Sequence, residues 1–242
     1  WFELQDAGSQ AIAECGAARR GERVIDFCAG AGGKTLALAA RMRNQGQVLA
    51  FDTDEARLSR LGPRLKRAGV DIVMQMRLKD SHDARLARYQ GWADLVLVDA
   101  PCSGSGTLRR HPDLKWRLQP QEVAHYRQLQ RQIMAAAARL LRPGGRLVYA
   151  TCSLLADENE AQMAWLAHRA GGALVAGGAA GAAGAAERAA DPTGSGGAVG
   201  AGGVQATDPA WPAVSLQPVA QRYWRPQPEG GDVFFMASWT RV

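Results

Sequence analysis

Strand-length apolar runs alternate with helix-length stretches along most of this chain, and that alternation limits the fold more than any other feature. The clearest run is Asp94-Leu-Val-Leu-Val-Asp99, four apolar residues bounded by acids. A continuous apolar run must be covered on both faces, which is the situation of a parallel strand inside an α/β sheet. Similar runs occupy 23–28 (Arg-Val-Ile-Asp-Phe-Cys), 47–52 (Gln-Val-Leu-Ala-Phe-Asp), 71–76 and 146–150. Between and after them the pattern predicts helices over Lys34–Arg43, 54–68, about Pro120 to Leu141, and 157–170, with Asp157 opening the last. Arg142-Pro143-Gly144-Gly145 stops the third of these helices. The predicted architecture is α/β: a doubly wound, Rossmann-like, mostly parallel sheet. A late run, Asp232-Val-Phe-Phe-Met-Ala-Ser-Trp239, reads as a last strand, and its long separation from the others suits an antiparallel edge.

Residues 171–207 break the pattern. They are mostly Gly and Ala, too poor in large apolar groups to offset the entropy of ordering, and are predicted to be a mobile loop. The whole chain, 1–242, is otherwise read as one domain. No apolar run reaches the roughly 18 residues of a membrane helix, and Trp1–Asp6 shows neither the basic start nor the apolar stretch of a signal peptide. The four cysteines, Cys15, Cys28, Cys102 and Cys152, form no C-x-x-C pair, which argues against zinc, other metal sites or thioredoxin chemistry. They read as reduced thiols of a cytoplasmic protein. A formal charge of +6 is compatible with a polyanionic partner.

The first strand runs into a glycine-rich turn, Cys28-Ala29-Gly30-Ala31-Gly32-Gly33, and then into the helix that begins at Lys34. Such a turn lets a ligand approach the backbone and offers it the free N–H groups of a helix N-terminus. Asp52 ends the second strand, where an acid bonds ribose hydroxyls. Several nucleotides satisfy this much. A phosphate-binding loop needs glycine five positions before Gly33, and Cys28 is there instead. Thr35 holds the place of the third glycine in the dinucleotide fingerprint. S-adenosylmethionine carries ribose and adenine but no phosphate, and demands less of the turn.

Asp99-Ala100-Pro101-Cys102-Ser103-Gly104 follows the central strand, and Thr151-Cys152-Ser153 follows the next. Sites in doubly wound sheets lie at the carboxyl ends of strands, so both cysteines are expected beside the cofactor turn. Paired thiols fit covalent catalysis on a carbon that is a poor nucleophile by itself, such as carbon 5 of cytosine. A thiolate adding to carbon 6 makes carbon 5 an enamine carbon able to attack a methyl group. The thiolate needs a positive or hydrogen-bonding neighbour, a role for Lys34 or a helix N-terminus. Asp99 is placed to stabilise the adduct at the ring nitrogen. On this reading alone either cysteine could attack.

Four segments, Asp-Phe-Cys-Ala-Gly-Ala-Gly-Gly-Lys-Thr, Val-Asp-Ala-Pro-Cys-Ser-Gly-Ser-Gly, Arg-Arg-His-Pro-Asp-Leu-Lys-Trp and Tyr-Ala-Thr-Cys-Ser, together resemble the Sun (Nol/Nop/Sun) family of RNA 5-methylcytosine methyltransferases. The likeness runs from about Gln5 to Glu160, with an echo at Gly231–Phe235. It implies a Rossmann-like fold dependent on S-adenosylmethionine and an RNA substrate, ribosomal RNA before transfer RNA. It implies that Cys152 is the nucleophile and that Cys102 assists product release. The DNA cytosine methyltransferases attack instead with the cysteine after proline. The resemblance also implies cofactor contacts from Cys28 through Ala29, Gly30, Ala31, Gly32 and Gly33 to Lys34, and at Asp52, Asp80 and Asp99. Two departures stand out. The family has Ala-Pro where this chain has Gly30-Ala31, and in Lys79-Asp80-Ser81-His82-Asp83 the third acid is either Asp80 or Asp83. The family's N-terminal RNA-binding region is expected to be absent here.

Arg109, Arg110, Lys115, Trp116 and Arg117 follow the Cys102 loop, and basic residues around an aromatic suit phosphate contact and base stacking. His111 reads as structural. Glu158-Asn159-Glu160 reads as a helix opening, where acids favour the dipole, with a catalytic role as the lesser alternative. The expected enzyme is a monomer that binds no membrane. Its rivals are a DNA cytosine methyltransferase and a non-catalytic RNA-binding factor in ribosome assembly.

Overall fold

The computed structural model of the chain describes residues 4–170, 215–224 and 232–242. The predicted loop 171–207 lies outside these residues. In chain order the elements are α1 (Ala7–Cys15), β1 (Arg23–Asp26), α2 (Gly33–Arg41), β2 (Gln47–Asp52), α3 (Glu55–Leu58), α4 (Leu61–Ala68), β3 (Val73–Arg77), β4 (Ala93–Asp99), α5 (Leu114–Arg117), α6 (Pro120–Leu140), β5 (Leu141–Thr151), α7 (Glu160–Arg169), β6 (Leu216–Trp224) and β7 (Phe234–Arg241). The strands form one sheet in the order β3-β2-β1-β4-β5-β7-β6. The first five are parallel, and β7 is antiparallel to both β5 and β6. The late strand therefore joins the sheet in the expected sense, and a further strand, β6, covers its outer side.

Alternation along the central strands sorts their side chains onto two faces. Ile25, Val96, Val98, Leu147 and Tyr149 pack with Ile133, Met134 and Ala137 of α6. Val24, Leu95, Leu97, Val148 and Ala150 pack with Ile12 of α1 and with Leu38 and Met42 around α2. Both faces of β4 are thus covered, which is why six of its seven residues are buried. Among the described residues no helix is long and apolar enough to cross a membrane.

Three local differences from the sequence reading have simple causes. The expected helix 54–68 is divided into α3 and α4, because Pro63 has no N–H to continue the ladder past Ser59. The strand at 146–150 begins earlier, at Leu141. Its pairing with β4 shifts between Ala93 and Leu95, and that irregularity absorbs Pro143-Gly144-Gly145. The helix expected from Asp157 begins only at Glu160. It is preceded by a 3₁₀ turn, Ala156–Glu158, whose last residue is fully buried.

Asp26 ends β1 with no exposed surface. Its Oδ2 accepts the Thr35 hydroxyl at 2.7 Å, and its Oδ1 has no partner among the described residues. Burial raises its pKa from 3.8 to about 7, against the lowering effects of the Thr35 bond and the Lys34 charge. The folded chain therefore holds a proton that the unfolded chain has released between pH 3.8 and about 7. This contribution to stability is complete below that window and is lost as pH rises through it. Denaturant unfolding at several pH values between about 5 and about 8 checks the sign. Wild type should lose stability relative to Asp26→Asn as pH rises, at no more than about 1.4 kcal/mol per unit. Parallel curves would contradict it.

Candidate active site

The carboxyl ends of five parallel strands share one rim, and each sequence-predicted cofactor and catalytic residue follows one of them. The turn after β1 is bound to its neighbours by backbone and by Asp52. Phe27 N–H donates to Leu97 O and Ala29 N–H to Phe51 O, both at 2.8 Å. The Asp52 carboxylate accepts Gly30 N–H at 2.7 Å and Asp54 N–H at 2.8 Å, so it joins the turn to the end of β2. Gly32 has φ +86° and a side chain there would collide with buried Leu61, so α4 packs directly against the turn. Gly30 also has positive φ, but nothing lies within 4 Å of where its Cβ would be. There is therefore free space beside Gly30, while its N–H is already given to Asp52. Ala31, where the resembling family has proline, is held through its carbonyl by Arg64.

The two candidates for the third acid differ in what already occupies them. Asp83 caps the turn Ala84–Tyr89 and accepts the N–H groups of Lys79 and Arg85 and the Arg85 guanidinium. These bonds hold its carboxyl well below the usual range. Asp80 is exposed, and among the bonds described its carboxylate accepts only His82 N–H, at 2.7 Å.

Lys34, on the first turn of α2, reaches across to Asp99 at the end of β4, with Nζ 2.6 Å from Oδ2. Burial alone would lower the Lys34 pKa, but the charge and hydrogen bond of Asp99, helped by Asp26, raise it above its ordinary value. The Phe234 ring centre lies 6.0 Å from the same Nζ. The sulfurs of Cys102 and Cys152 are 3.5 Å apart. The S–H donated by Cys102, supported by Lys34, lowers the Cys152 pKa against burial and the Asp99 charge. The same bond, burial and the charge of Glu158 push Cys102 well up. Cys28 is also pushed well up, by burial and by Asp52, Asp26 and Asp99, which makes it a poor nucleophile. Either sulfur could donate at this distance, and the opposite directions of the two shifts favour donation by Cys102 and thiolate character at Cys152.

Several residues that build this arrangement were not identified from the sequence. Ser103 and Ser153, directly after the two cysteines, are buried and both bond Glu158. Glu158 does not serve a helix dipole: it lies under the cysteine loops with no exposed surface. Thr151 Oγ1–H donates to Asn159 Oδ1 at 2.6 Å, and Asn159 Nδ2 donates to Ser153 O at 2.9 Å. Gly106 N–H donates to Cys152 O at 2.8 Å, and Gly106 O accepts Val233 N–H at 3.3 Å. The repeated Cys-Ser dipeptide was the signal available in the sequence, since neighbours on an extended loop point to opposite sides.

The predicted RNA-binding residues divide. Arg110 pairs with fully buried Asp232, and Arg117 with Asp113 at 3.0 Å. Arg109 is exposed, and Lys115 lies over the ring of Trp116, itself 76% exposed. His111 is exposed and donates its backbone N–H to Thr107 O.

A parallel sheet with an inserted antiparallel strand, carrying a glycine turn and an acid at adjacent strand ends, has the fold of S-adenosylmethionine-dependent methyltransferases. The family model described as "16S rRNA methyltransferase RsmB/F" matches residues 15–240, and the chain belongs to that family. It is 42% identical over 169 residues to ribosomal RNA small subunit methyltransferase B of Klebsiella pneumoniae, covering 68% of this chain and 37% of that protein. Two crystal structures from Pyrococcus horikoshii are similar, each at 26% identity. A methyltransferase homologue has a TM-score of 0.69 over 99% of this chain and 68% of its own. NSun6 with SFG has a TM-score of 0.68 over 99% of this chain and 53% of its own. The resemblance read from the four sequence segments is borne out. The chain spans little more than a third of the length of the Klebsiella relative.

The contact at Gly106 gives a direct test of the site's construction. A Cβ there would meet Val233 O and come within 2.9 Å of Cys152 O, both backbone atoms that cannot swing aside. Gly106→Ala should destabilise the fold by about 1–3 kcal/mol, seen as a fall of several degrees in Tm. An unchanged Tm would show that the Cys102 and Cys152 loops are not in this contact.

Proposed function

We propose that this chain methylates carbon 5 of a cytosine in RNA, using S-adenosylmethionine and a covalent cysteine adduct. Ribosomal RNA of the small subunit is the first substrate to test and transfer RNA the second. The observation that carries the reading is the Cys102–Cys152 contact, 3.5 Å between sulfurs, on the same rim as the open glycine turn. The family and the name of the Klebsiella relative support the ribosomal substrate.

The residues present fit the cofactor. The turn from Cys28 to Lys34 is open at Gly30 and bears no phosphate-loop signature. Asp52 and exposed Asp80 would serve as acceptors around it, and Asp99 would border its reactive end. Asp83, saturated by its own loop, is set aside. When bound, S-adenosylmethionine supplies a methyl group on a positively charged sulfur.

Cys152 adds as a thiolate to carbon 6 of the ring. Lys34 and the S–H of Cys102 stabilise that thiolate before attack. Addition moves electron density toward the ring nitrogen, which takes up a proton relayed from Lys34 Nζ through Asp99, 2.6 Å apart, and returns it when the adduct breaks down. After carbon 5 has taken the methyl group, its proton passes to solvent water, the carbon 5–carbon 6 double bond re-forms and Cys152 leaves as a thiolate. Cys102, hydrogen-bonded to the departing sulfur, serves this release step. Attack by Cys102, as in the DNA cytosine methyltransferases, would require its thiolate beside the negative charge of Glu158. The target base must leave its stack to reach the sulfurs. Arg109, Lys115 and Trp116 offer cations and a ring for that RNA segment, and Arg110 and Arg117 act from within their ion pairs. The chain is read as a cytoplasmic monomer.

Transfer of radiolabelled methyl to unmodified small-subunit RNA, followed by nucleoside analysis, tests the reading. Label is expected in 5-methylcytidine, with Cys152→Ala reducing it at least about a thousandfold. Label in any other nucleoside, or an active variant, would overturn it. Trp116→Ala should weaken RNA binding by about 1–3 kcal/mol, the contribution of one stacked base, and leave cofactor affinity unchanged. RNA titration with and without cofactor measures both, and undiminished RNA affinity would remove Trp116 from the interface.

A further inference from the structure

Between the two cysteine loops and α6 lies a fully buried carboxylate, Glu158. Its Oε1 accepts Ser103 N–H at 2.9 Å and Gln130 Nε2–H at 3.0 Å. Its Oε2 accepts the hydroxyls of Ser103 at 2.5 Å and Ser153 at 2.6 Å. Gln130 also donates to Pro101 O at 3.0 Å, so the residues on both sides of Cys102 are fixed to one network. Gln162 joins it from α7 by donating to Gln130 Oε1 at 2.9 Å. The residue after Cys152 is fixed to the same carboxylate. The backbone carbonyl of Glu158 is in turn held by the buried hydroxyl of Tyr149, at 2.8 Å, so β5 fixes the group that fixes the loops.

We infer that Glu158 is the positioning residue of the thiol pair: its carboxylate holds the loops of Cys102 and Cys152 at sulfur–sulfur contact and keeps Cys102 the donor. Three observations support this. A buried carboxylate without hydrogen bonds would be strongly unfavourable, and here four donors, three of them from Ser103 and Ser153, satisfy it. Both serines are adjacent in sequence to the thiols, so movement of either loop breaks bonds to Glu158. The charges around the sulfurs are also unequal. The charge of Glu158 acts on Cys102, whereas the charges of Lys34 and Asp99 act, in opposite senses, on Cys152. Negative charge on the Cys102 side disfavours its thiolate, and the cation of Lys34 favours that of Cys152. Glu158 is therefore not a catalytic residue; it acts through the sulfurs.

The inference deepens the proposed reaction and takes its functional meaning from it, but its test needs neither cofactor nor RNA. The test follows alkylation of Cys102 and Cys152 by iodoacetamide against pH, with peptide mapping to separate the thiols and a melting curve to verify folding. In wild type, Cys152 should react at lower pH than Cys102. In Glu158→Ala the Cys152 midpoint should rise by about one pH unit, making it roughly tenfold slower near neutrality, and the two profiles should converge. Glu158→Gln keeps an acceptor for Ser103 N–H and Gln130 but not the charge, and should recover the part of the Cys152 rate that depends on loop position, giving a profile between wild type and Glu158→Ala. If Glu158→Ala does not melt cooperatively, Ser153→Ala replaces it, with a smaller shift in the same direction. A folded Glu158→Ala with the wild-type Cys152 profile, a Glu158→Gln no better than Ala, or a silent Ser153→Ala in its place, overturns the inference. A chain inactive on RNA with the expected thiol profiles counts against the proposed reaction and for the role of Glu158. An active chain with profiles unmoved by these substitutions counts the other way.

Discussion

Asp99 lies opposite Ala150 in the parallel ladder between β4 and β5, and the chemistry on this rim depends on that pairing. The ladder continues one step past the strand, where Ala100 N–H donates to Ala150 O at 2.8 Å. The two chain segments therefore leave the sheet side by side. Three residues beyond Asp99 comes Cys102, and two residues beyond Ala150 comes Cys152. A slip of one residue would turn every side chain of a strand to the other face. It would bury polar groups in the core and separate the sulfurs. The apolar faces of β4 and β5, packed on α6 and α1, oppose such a slip more firmly than any contact in the site itself.

Above that ladder the site is an arrangement of buried charge, each part of which is compensated differently. Lys34 and Asp99 compensate one another. Glu158 is compensated by neutral donors from the loops it holds. Asp232 is compensated on one side by Arg110, so the segment before β7 is tied to the Cys102 loop by charge as well as by the Gly106 backbone. Asp26 is compensated least, with one oxygen on Thr35, and burial moves it toward neutrality instead. Removing a partner from such an arrangement leaves a buried charge unpaired, which costs more than the bond itself. That gives the rim its rigidity, and it fits a mechanism in which two sulfurs must stay in contact while a base enters and leaves.

Much of this was legible in the sequence. The continuous apolar run of β4 and the glycine turn before α2 announced a covered parallel sheet with a ligand at its rim. Cys102 and Cys152, each on a polar loop after a strand, were legible as a pair, although the residues alone did not say which was the thiolate. The resemblance implies Cys152, and the positions of Lys34 and Glu158, distant in sequence from Cys102, support that reading. Strand β6 was hidden because its residues 217–221 are exposed and it contains Pro218, as an outer strand allows. Glu158 was hidden because an acid just before a helix has an ordinary local explanation. Only the approach of the Cys102 loop, 55 residues earlier in the chain, makes it a tertiary group. Sequence spacing left Asp80 and Asp83 open, and the bonds of Asp83 to Lys79 and Arg85 support the choice of Asp80 in the proposed reading.

The central claim is that Cys152 forms the bond to RNA and Cys102 serves its release. The most direct measurement is mass mapping of any protein–RNA adduct in Cys102→Ala, after incubation with S-adenosylmethionine and unmodified small-subunit RNA and denaturation. The account predicts a stable adduct carried by the peptide containing Cys152, with little free 5-methylcytidine. An adduct on Cys28 or Cys15, or normal turnover by the variant with no adduct, would contradict it.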